Sequence, residues 1–209
     1  MGSRQQLLRV VVHIAGILPT VILVVRFWFG WLTFNPIQSL QQQTGLIALV
    51  FLLSSLACTP LSRWFGWRFL LPRRQALGMY GFVYASLHVL VFVGLDYRFN
   101  LMQILADVGN KRYILIGLSA FLLLVPLAIT SLNWFKKSMG RHWRTLHKLA
   151  YLIPAIVIWH FIAAAKGDLS TLRGNISTPL LYAAVLGLLL LARLPLLQTR
   201  LTKGHSKKD

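Results

Sequence analysis

The sequence contains no glutamate, and its four acidic residues stand against 22 lysines and arginines in 209 residues, a net charge of +18. The chain shows no paired carboxylates, no GxGxxG motif, no P-loop and no nucleophile beside a base, so a self-contained hydrolase is unsupported. The single cysteine, Cys58, lies inside an apolar run, so neither a disulfide nor a cysteine metal site is available. Any catalytic site for substrate chemistry is therefore expected on another protein.

Hydrophobic residues make up 56% of the chain, and its mean hydropathy is positive. A basic chain suits nucleic-acid binding, but here the charges form short clusters between apolar runs of about 20 residues, which a soluble basic domain does not need. The first apolar run is too long, and too closely followed by others, for a cleaved signal peptide. The composition predicts a multi-pass membrane protein.

Six apolar segments predict an all-α fold, a bundle of six transmembrane helices that forms one domain over residues 1–209. The predicted spans cover about residues 10–30, 44–61, 76–95, 113–133, 145–165 and 179–197. The connection from Trp31 to Gln43 carries no charge and is predicted to be an outer loop. All connections are short, so none is expected to hold a further domain.

The lysines and arginines predict which side of the membrane each connection faces. Sixteen of them lie in the two tails and in the connections after the second and fourth spans. The other side has only six, together with three of the four aspartates, Asp96, Asp107 and Asp168. By the positive-inside rule both termini are cytoplasmic. The final KGHSKKD, with His205, is predicted to be a solvated tail.

Two histidines are expected at similar depth in the third and fifth spans, which both run from inside to outside. His88 follows Arg74 by 14 residues, and His160 follows His147 by 13. His88 and His160 should then lie level towards the outer side, with Arg74 and His147 level near the inner face. A polar ring buried in lipid needs a partner, and axial ligation of haem iron is a common use of such a histidine.

Other roles for these residues stay open. A lone membrane histidine is about as often a packing residue as a ligand. His147, beside Lys148, is also consistent with a solvated inner-face residue. Arg74 suits a snorkelling anchor as well as a propionate contact or an axial role. His13, in the first span, is either a third redox-site group or a structural residue bonded to a neighbouring carbonyl.

At these residues the chain resembles the haem-binding membrane subunits MsrQ of the periplasmic methionine sulfoxide reductase system. The matching stretches are HIAGILP from His13, TPLSRW from Thr59, RRQALGMYGFVYASLH ending at His88 and GRHWRTLHKLAYLIPAIVIWH ending at His160. The family resembles the transmembrane domains of ferric reductases and NADPH oxidases, which hold two stacked b haems between helices three and five. The resemblance implies an outer haem between His88 and His160. It also implies an inner haem between His147 and Arg74. Arg74 occupies the position at which the wider group has the inner histidine of helix three.

The resemblance also implies a function. Proteins of this family pass electrons from the quinone pool or a cytoplasmic flavin reductase across the bacterial inner membrane to a periplasmic molybdopterin enzyme, MsrP. That enzyme reduces methionine sulfoxide in oxidised periplasmic proteins, so the chain is expected to be an electron-transfer subunit without its own substrate-reducing site. FMN is a further implied cofactor, and the basic loops Arg63–Arg74 and Lys136–Arg144 are candidates for attracting its phosphate.

Three alternative functions stay open from the sequence. The first is a general ferric or quinone reductase domain, which differs in its electron acceptor. The second is a proton or solute transporter whose membrane histidines form a relay. The third is a structural anchor for a periplasmic partner.

Overall fold

The computed structural model of the chain describes residues 3–165, 167–168, 173–174 and 176–194, with side chains described for residues 5–165 and 176–194. The predicted helical architecture is confirmed for this part of the chain. Its helices are α1 (Ser3–Trp28), α2 (Pro36–Trp64), α3 (Arg74–Leu90), α4 (Leu101–Asn110), α5 (Arg112–Ile129), α6 (Asn133–Met139), α7 (Arg141–Leu146), α8 (Leu149–Ala164) and α9 (Ser177–Leu191). A 3-10 segment, Arg68–Arg73, precedes α3, and a π-helical segment, Val91–Asp96, follows it. Gly167–Asp168 (β1) pairs antiparallel with Arg173–Gly174 (β2).

Five stretches of the described chain are long and apolar enough to cross a membrane. They are Gln5–Trp28, Pro36–Trp64, Arg68–Asp96, Arg112–Ile129 and Arg141–Ala164, and they correspond to the first five predicted spans. Helix α9 is apolar but has 15 residues, or about 22 Å, which is less than the roughly 20 residues a span needs. The chain is therefore a multi-pass membrane protein, while the sixth span and the cytoplasmic termini stay predictions.

Some of the sequence-based expectations fall on parts of the chain that are not described. The end of the sixth predicted span, residues 195–197, lies outside the described residues, as does the tail with His205. The same holds for the side chains of several charged residues used to predict orientation, namely Arg4, Lys166, Asp168, Arg173, Arg200, Lys203, Lys207 and Lys208.

The second span begins at Pro36, eight residues earlier than predicted, so the loop expected from Trp31 to Gln43 is too long, and its outer location stays a prediction. Asn35 caps α2, since its side-chain oxygen accepts a hydrogen bond from the Gln38 N–H at 3.1 Å. Pro36 follows at the first helical position, where a missing N–H costs nothing and the fixed φ suits a helix. The polar glutamines that looked like loop therefore form the first turns of α2, at the predicted outer end of the span.

Helix α4, which the sequence analysis did not predict, is joined to the end of the third span by three side chains. Asp107 contacts the Lys111 ammonium at 2.8 Å and accepts a hydrogen bond from the Tyr97 hydroxyl. The bond with Lys111 lowers the pKa of the Asp107 carboxyl, and the same bond raises the pKa of Lys111 to about 12. The stabilisation from Asp107 is therefore present above the ordinary carboxyl pKa and is lost as the pH falls through the depressed value.

Helix α2 is the centre of the bundle and packs against α3, α8 and α9. Its buried leucines, among them Leu49 and Leu52, enter two apolar clusters with residues of α5, α8 and α9. Lipid is as apolar as leucine, so close packing rather than escape from water holds such helices together. Gly81 of α3 permits this closeness, because a Cβ there would lie 2.8 Å from the Leu52 side chain.

Helix α1 is bound to α3 through the fully buried hydroxyl of Tyr84. This hydroxyl accepts hydrogen bonds from the Thr20 N–H at 3.0 Å and the Thr20 hydroxyl at 2.9 Å, and it donates to the Gly16 carbonyl at 2.8 Å. In a regular helix the Thr20 N–H would bond to the Gly16 carbonyl directly. The phenol therefore contacts both the donor and the acceptor of one turn of α1 beside Pro19, and all three of its bonds are used.

We expect Tyr84→Phe to destabilise the protein, because the Thr20 N–H and the Gly16 carbonyl lose a partner in an apolar surrounding. An unsatisfied buried polar group costs about 1–3 kcal/mol. Thermal unfolding of the detergent-solubilised protein, followed by circular dichroism, measures the loss. Tyr182→Phe in α9, beside the Leu49 cluster, is the matched control. Equal melting temperatures for the two variants would show that the bridge does not hold α1.

Candidate functional site

His88 projects from α3 onto the backbone of α2. Its Nδ1 lies 2.9 Å from the Gln41 carbonyl oxygen, and its Nε2 lies 3.2 Å from the Gln41 side-chain nitrogen. A carbonyl only accepts and an amide NH₂ only donates, so Nδ1 carries the proton and Nε2 presents its lone pair. The Gln41 Oε1 is buried and has no hydrogen-bond partner among the described residues. The lone pair of His88 Nε2 is therefore available to a metal, and the only described group that already bonds to it is the Gln41 amide NH₂.

His160 repeats this arrangement on the other side of the bundle. It projects from α8 onto α5, where its Nδ1 lies 2.7 Å from the Tyr113 carbonyl oxygen. The Nδ1 proton must therefore point at the carbonyl, and the lone pair of the neutral ring is on Nε2. A metal-binding histidine usually donates its other N–H to a backbone carbonyl or a carboxylate, which fixes both tautomer and orientation. Both histidines donate Nδ1–H to a backbone carbonyl in this way.

The structure brings these two rings together, as the depth argument expected. The centroids of His88 and His160 are 6.1 Å apart, and the ring planes cross at 86°. A metal–imidazole bond is about 2.0 Å long and its nitrogen lies about 1.1 Å from the ring centre, so two imidazoles on opposite sides of one metal have centroids about 6.2 Å apart. The observed separation fits one metal centre with two axial imidazoles.

Arg74 and His147 line a cavity of about 500 Å³ at the predicted inner end of the bundle. Its other cationic lining residues are Lys136, Arg144 and Lys148. The acidic residues with described side chains, Asp96 and Asp107, both lie in the predicted outer connection, so no described carboxylate offsets this charge. The cavity therefore suits an anionic group such as a carboxylate or a phosphate.

The His147 ring is held differently from the outer pair. Its Nε2 lies 3.1 Å from the Thr130 hydroxyl, which already donates to the Pro126 carbonyl at 2.6 Å. The Nε2 proton of His147 therefore donates to Thr130, and the ring also stacks on Trp143 at 4.1 Å. The helix breaks at this point, since α7 ends at Leu146 and α8 begins at Leu149. Metal ligation through Nε2 would require the ring to leave Thr130.

His13 bonds to a tyrosine. Its Nδ1 lies 2.8 Å from the Tyr80 hydroxyl of α3, and the two rings meet edge to face. This contact favours the structural role over the redox role, although the partner is a hydroxyl and not the expected carbonyl.

The sequence analysis did not identify the partners of His88, His160 and His147. Gln41 and Tyr113 act through backbone carbonyls, which have no sequence signal of their own. Thr130 has no distinguishing sequence context either, because its contact with His147 depends on the break between α7 and α8.

Comparison with known proteins adds the following similarities. Residues 43–158 match the family described as ferric reductase like transmembrane component. A protein of Rhodospirillum rubrum named protein-methionine-sulfoxide reductase heme-binding subunit MsrQ is 41% identical over 93% of this chain and 90% of its own length. A relative with the same name from Herminiimonas arsenicoxydans is 37% identical over 90% of this chain and 84% of its own length. Another, from Bordetella pertussis, is 38% identical over 85% of this chain and 84% of its own length. The relatives' names specify haem and mention no flavin.

We expect Gln41→Leu to strengthen haem binding by up to about tenfold, because an incoming iron no longer competes with the amide for His88 Nε2. The change also removes the unpartnered Oε1. Absorbance titration of the apoprotein with haem measures the affinity, and Gln42→Leu at the exposed neighbouring position is the control. Weaker haem binding in Gln41→Leu alone would show that the amide supports the ligand instead of competing with it.

Proposed function

The chain belongs to the family of haem-binding MsrQ subunits of protein-methionine-sulfoxide reductase, and from this premise we propose that it carries electrons across the inner membrane to a periplasmic molybdopterin enzyme. The acceptor is a methionine sulfoxide reductase of the MsrP type, which repairs oxidised periplasmic proteins. Similarity to named MsrQ subunits over about nine-tenths of the chain supports this function. The chain itself then needs no substrate-reducing site.

The paired imidazoles of His88 and His160 are the observation on which the proposal depends. We assign these residues as axial ligands of one b-type haem at the predicted outer end, held through Nε2. The 6.1 Å separation and the two Nδ1–H bonds to carbonyls support the assignment. When bound there, haem supplies the one-electron redox chemistry of its iron. The protein's part is to fix both ligands, exclude water and set the local charge.

The cationic cavity around Arg74 is assigned to the electron-entry side. Its guanidinium, with Arg144 and Lys148, suits the propionates of a second haem or the phosphate of FMN. His147 would bind the iron of such a haem only after its Nε2 gave up the hydrogen bond to Thr130. The inner haem is therefore assigned independently of the outer one. The electron donor in this proposal is the quinone pool or a cytoplasmic flavin reductase, reached from the cytoplasmic face.

The same observations weigh against the alternative functions. A relay transporter requires histidines that exchange protons, whereas His88 and His160 have their Nδ1 protons engaged by fixed carbonyls. A general ferric or quinone reductase would use the same two imidazoles and would differ in its electron acceptor. The named relatives favour a methionine sulfoxide reductase system as that acceptor.

We expect His88→Ala and His160→Ala each to abolish the reduced α band of the outer haem and to stop electron delivery to the periplasmic enzyme. Each change removes one of two axial bonds, and alanine offers no replacement ligand. Difference spectra of the purified variants and reduction of methionine sulfoxide in membranes measure the two effects. His142→Ala, at an exposed position, is the control and should keep both. Full haem retention in both variants would refute the ligand assignment.

We expect His147→Ala to keep the spectrum of the outer haem. His147 lies before the start of α8, whereas His160 lies near the other end of that helix, so loss of His147 should not disturb the outer pair. Pyridine haemochrome quantification gives the haem-to-protein ratio of the variant and the parent. A ratio that falls by one haem assigns the second haem to His147, whereas loss of all haem contradicts the independence of the two sites.

A further inference from the structure

Each imidazole of the outer pair lies against a helix carbonyl that is followed four residues later by a glycine. His88 bonds to the carbonyl of Gln41 and lies over Gly45 in α2. His160 bonds to the carbonyl of Tyr113 and lies over Gly117 in α5. We call each carbonyl with its glycine a glycine socket. The same spacing occurs on two helices that hold the two rings from opposite sides.

The glycines are needed because the rings come closer than any side chain would allow. A Cβ at Gly45 would lie 3.0 Å from His88 Nδ1, and a Cβ at Gly117 would lie 2.8 Å from both Nδ1 and Cε1 of His160. A helix carbonyl already accepts the N–H four residues later, so a second donor must approach beside that residue. An alanine at the fourth position would stand where the imidazole now lies.

We propose that Gly45 and Gly117 are positioning residues that fix the rotation of the two axial imidazoles and thereby hold their planes crossed. Each ring is held by the carbonyl at Nδ1 and fills the space that a Cβ on the glycine would occupy, and the observed crossing angle is 86°. The inference rests on the proposed ligation of haem by His88 and His160 and goes beyond it. It assigns to two residues without functional groups a role in the electronic state of the iron.

The crossed arrangement has a spectroscopic consequence. Each axial imidazole interacts through its π system with the iron d orbital that lies perpendicular to its plane. Parallel rings act on the same orbital and split the pair, whereas crossed rings act on both and leave the two nearly equal in energy. Near-equal orbitals give ferric low-spin iron a highly anisotropic electron paramagnetic resonance (EPR) spectrum, with a large principal g value. Parallel rings give a less anisotropic, rhombic spectrum.

The test is EPR of the oxidised holoprotein in detergent, recorded for the parent and for Gly45→Ala and Gly117→Ala. Each is also recorded with His147→Ala, so that only the outer haem contributes. Gly187→Ala in α9, where a Cβ would meet nothing within 4 Å, is the matched control. Alanine favours helix more than glycine does, so a change in the socket variants does not come from weaker helix formation. Potentiometric titration of each sample gives a second readout.

We expect a large-g signal in the parent and the control. In the socket variants we expect the largest g value to shift downwards, together with a shifted midpoint potential. A monodisperse socket variant that has lost only the outer haem also supports the proposal, since its displaced ring no longer reaches the iron. Socket variants that hold full haem with the parental spectrum and potential would overturn it. A rhombic outer-haem signal in the parent would do the same.

Two further cases are decided by the same samples. If Gly117→Ala does not fold, Gly45→Ala decides the question, because its nearest contact of 3.0 Å is the milder one. If the parent holds no haem, the proposed function fails. If the parent holds haem but the socket variants keep its EPR spectrum and midpoint potential, only the positioning role of the glycines is refuted.

Discussion

The hydrogen bond from a buried Nδ1–H to a helix carbonyl is the interaction on which the outer site depends. In hydrocarbon every polar group must find its partner within the protein, because no water is available. His88 and His160 meet that requirement at Nδ1, which donates to the carbonyls of Gln41 and Tyr113. In the proposed function, the Nε2 atoms of both rings hold the same haem. The same constraint explains Tyr84, whose buried hydroxyl makes three hydrogen bonds to Thr20 and Gly16 of α1.

The two ends of the bundle differ in the kind of group that they accept. The predicted outer end presents two neutral imidazoles at a separation suited to one metal, whereas the predicted inner end presents cations around a cavity without a described carboxylate. In low dielectric an unpaired cation is costly unless an anion or the interface receives it. An anionic cofactor or donor at the inner end would neutralise the cations there. A metal at the outer end would bind the two free imidazole nitrogens.

The sequence was sufficient for the first five spans and for the meeting of His88 with His160, because apolar length and helical rise are local properties. It failed at Asn35 and Pro36, whose capping signal outweighs the polarity of the following glutamines, and it did not predict α4 in the connection between the third and fourth spans. The carbonyl partners and the His147–Thr130 bond were not predictable, since they depend on how neighbouring backbones approach. The closeness of Gly45 and Gly117 to the histidine rings was not predictable for the same reason.

The most direct measurement of the central claim is the absorption spectrum of the detergent-purified parent protein before and after dithionite, with pyridine haemochrome quantification. The account predicts a sharp reduced α band at the b-type position and at least one haem per chain. A colourless protein, purified from cells with ample haem, would contradict the assignment of His88 and His160 and the electron-transfer function with it.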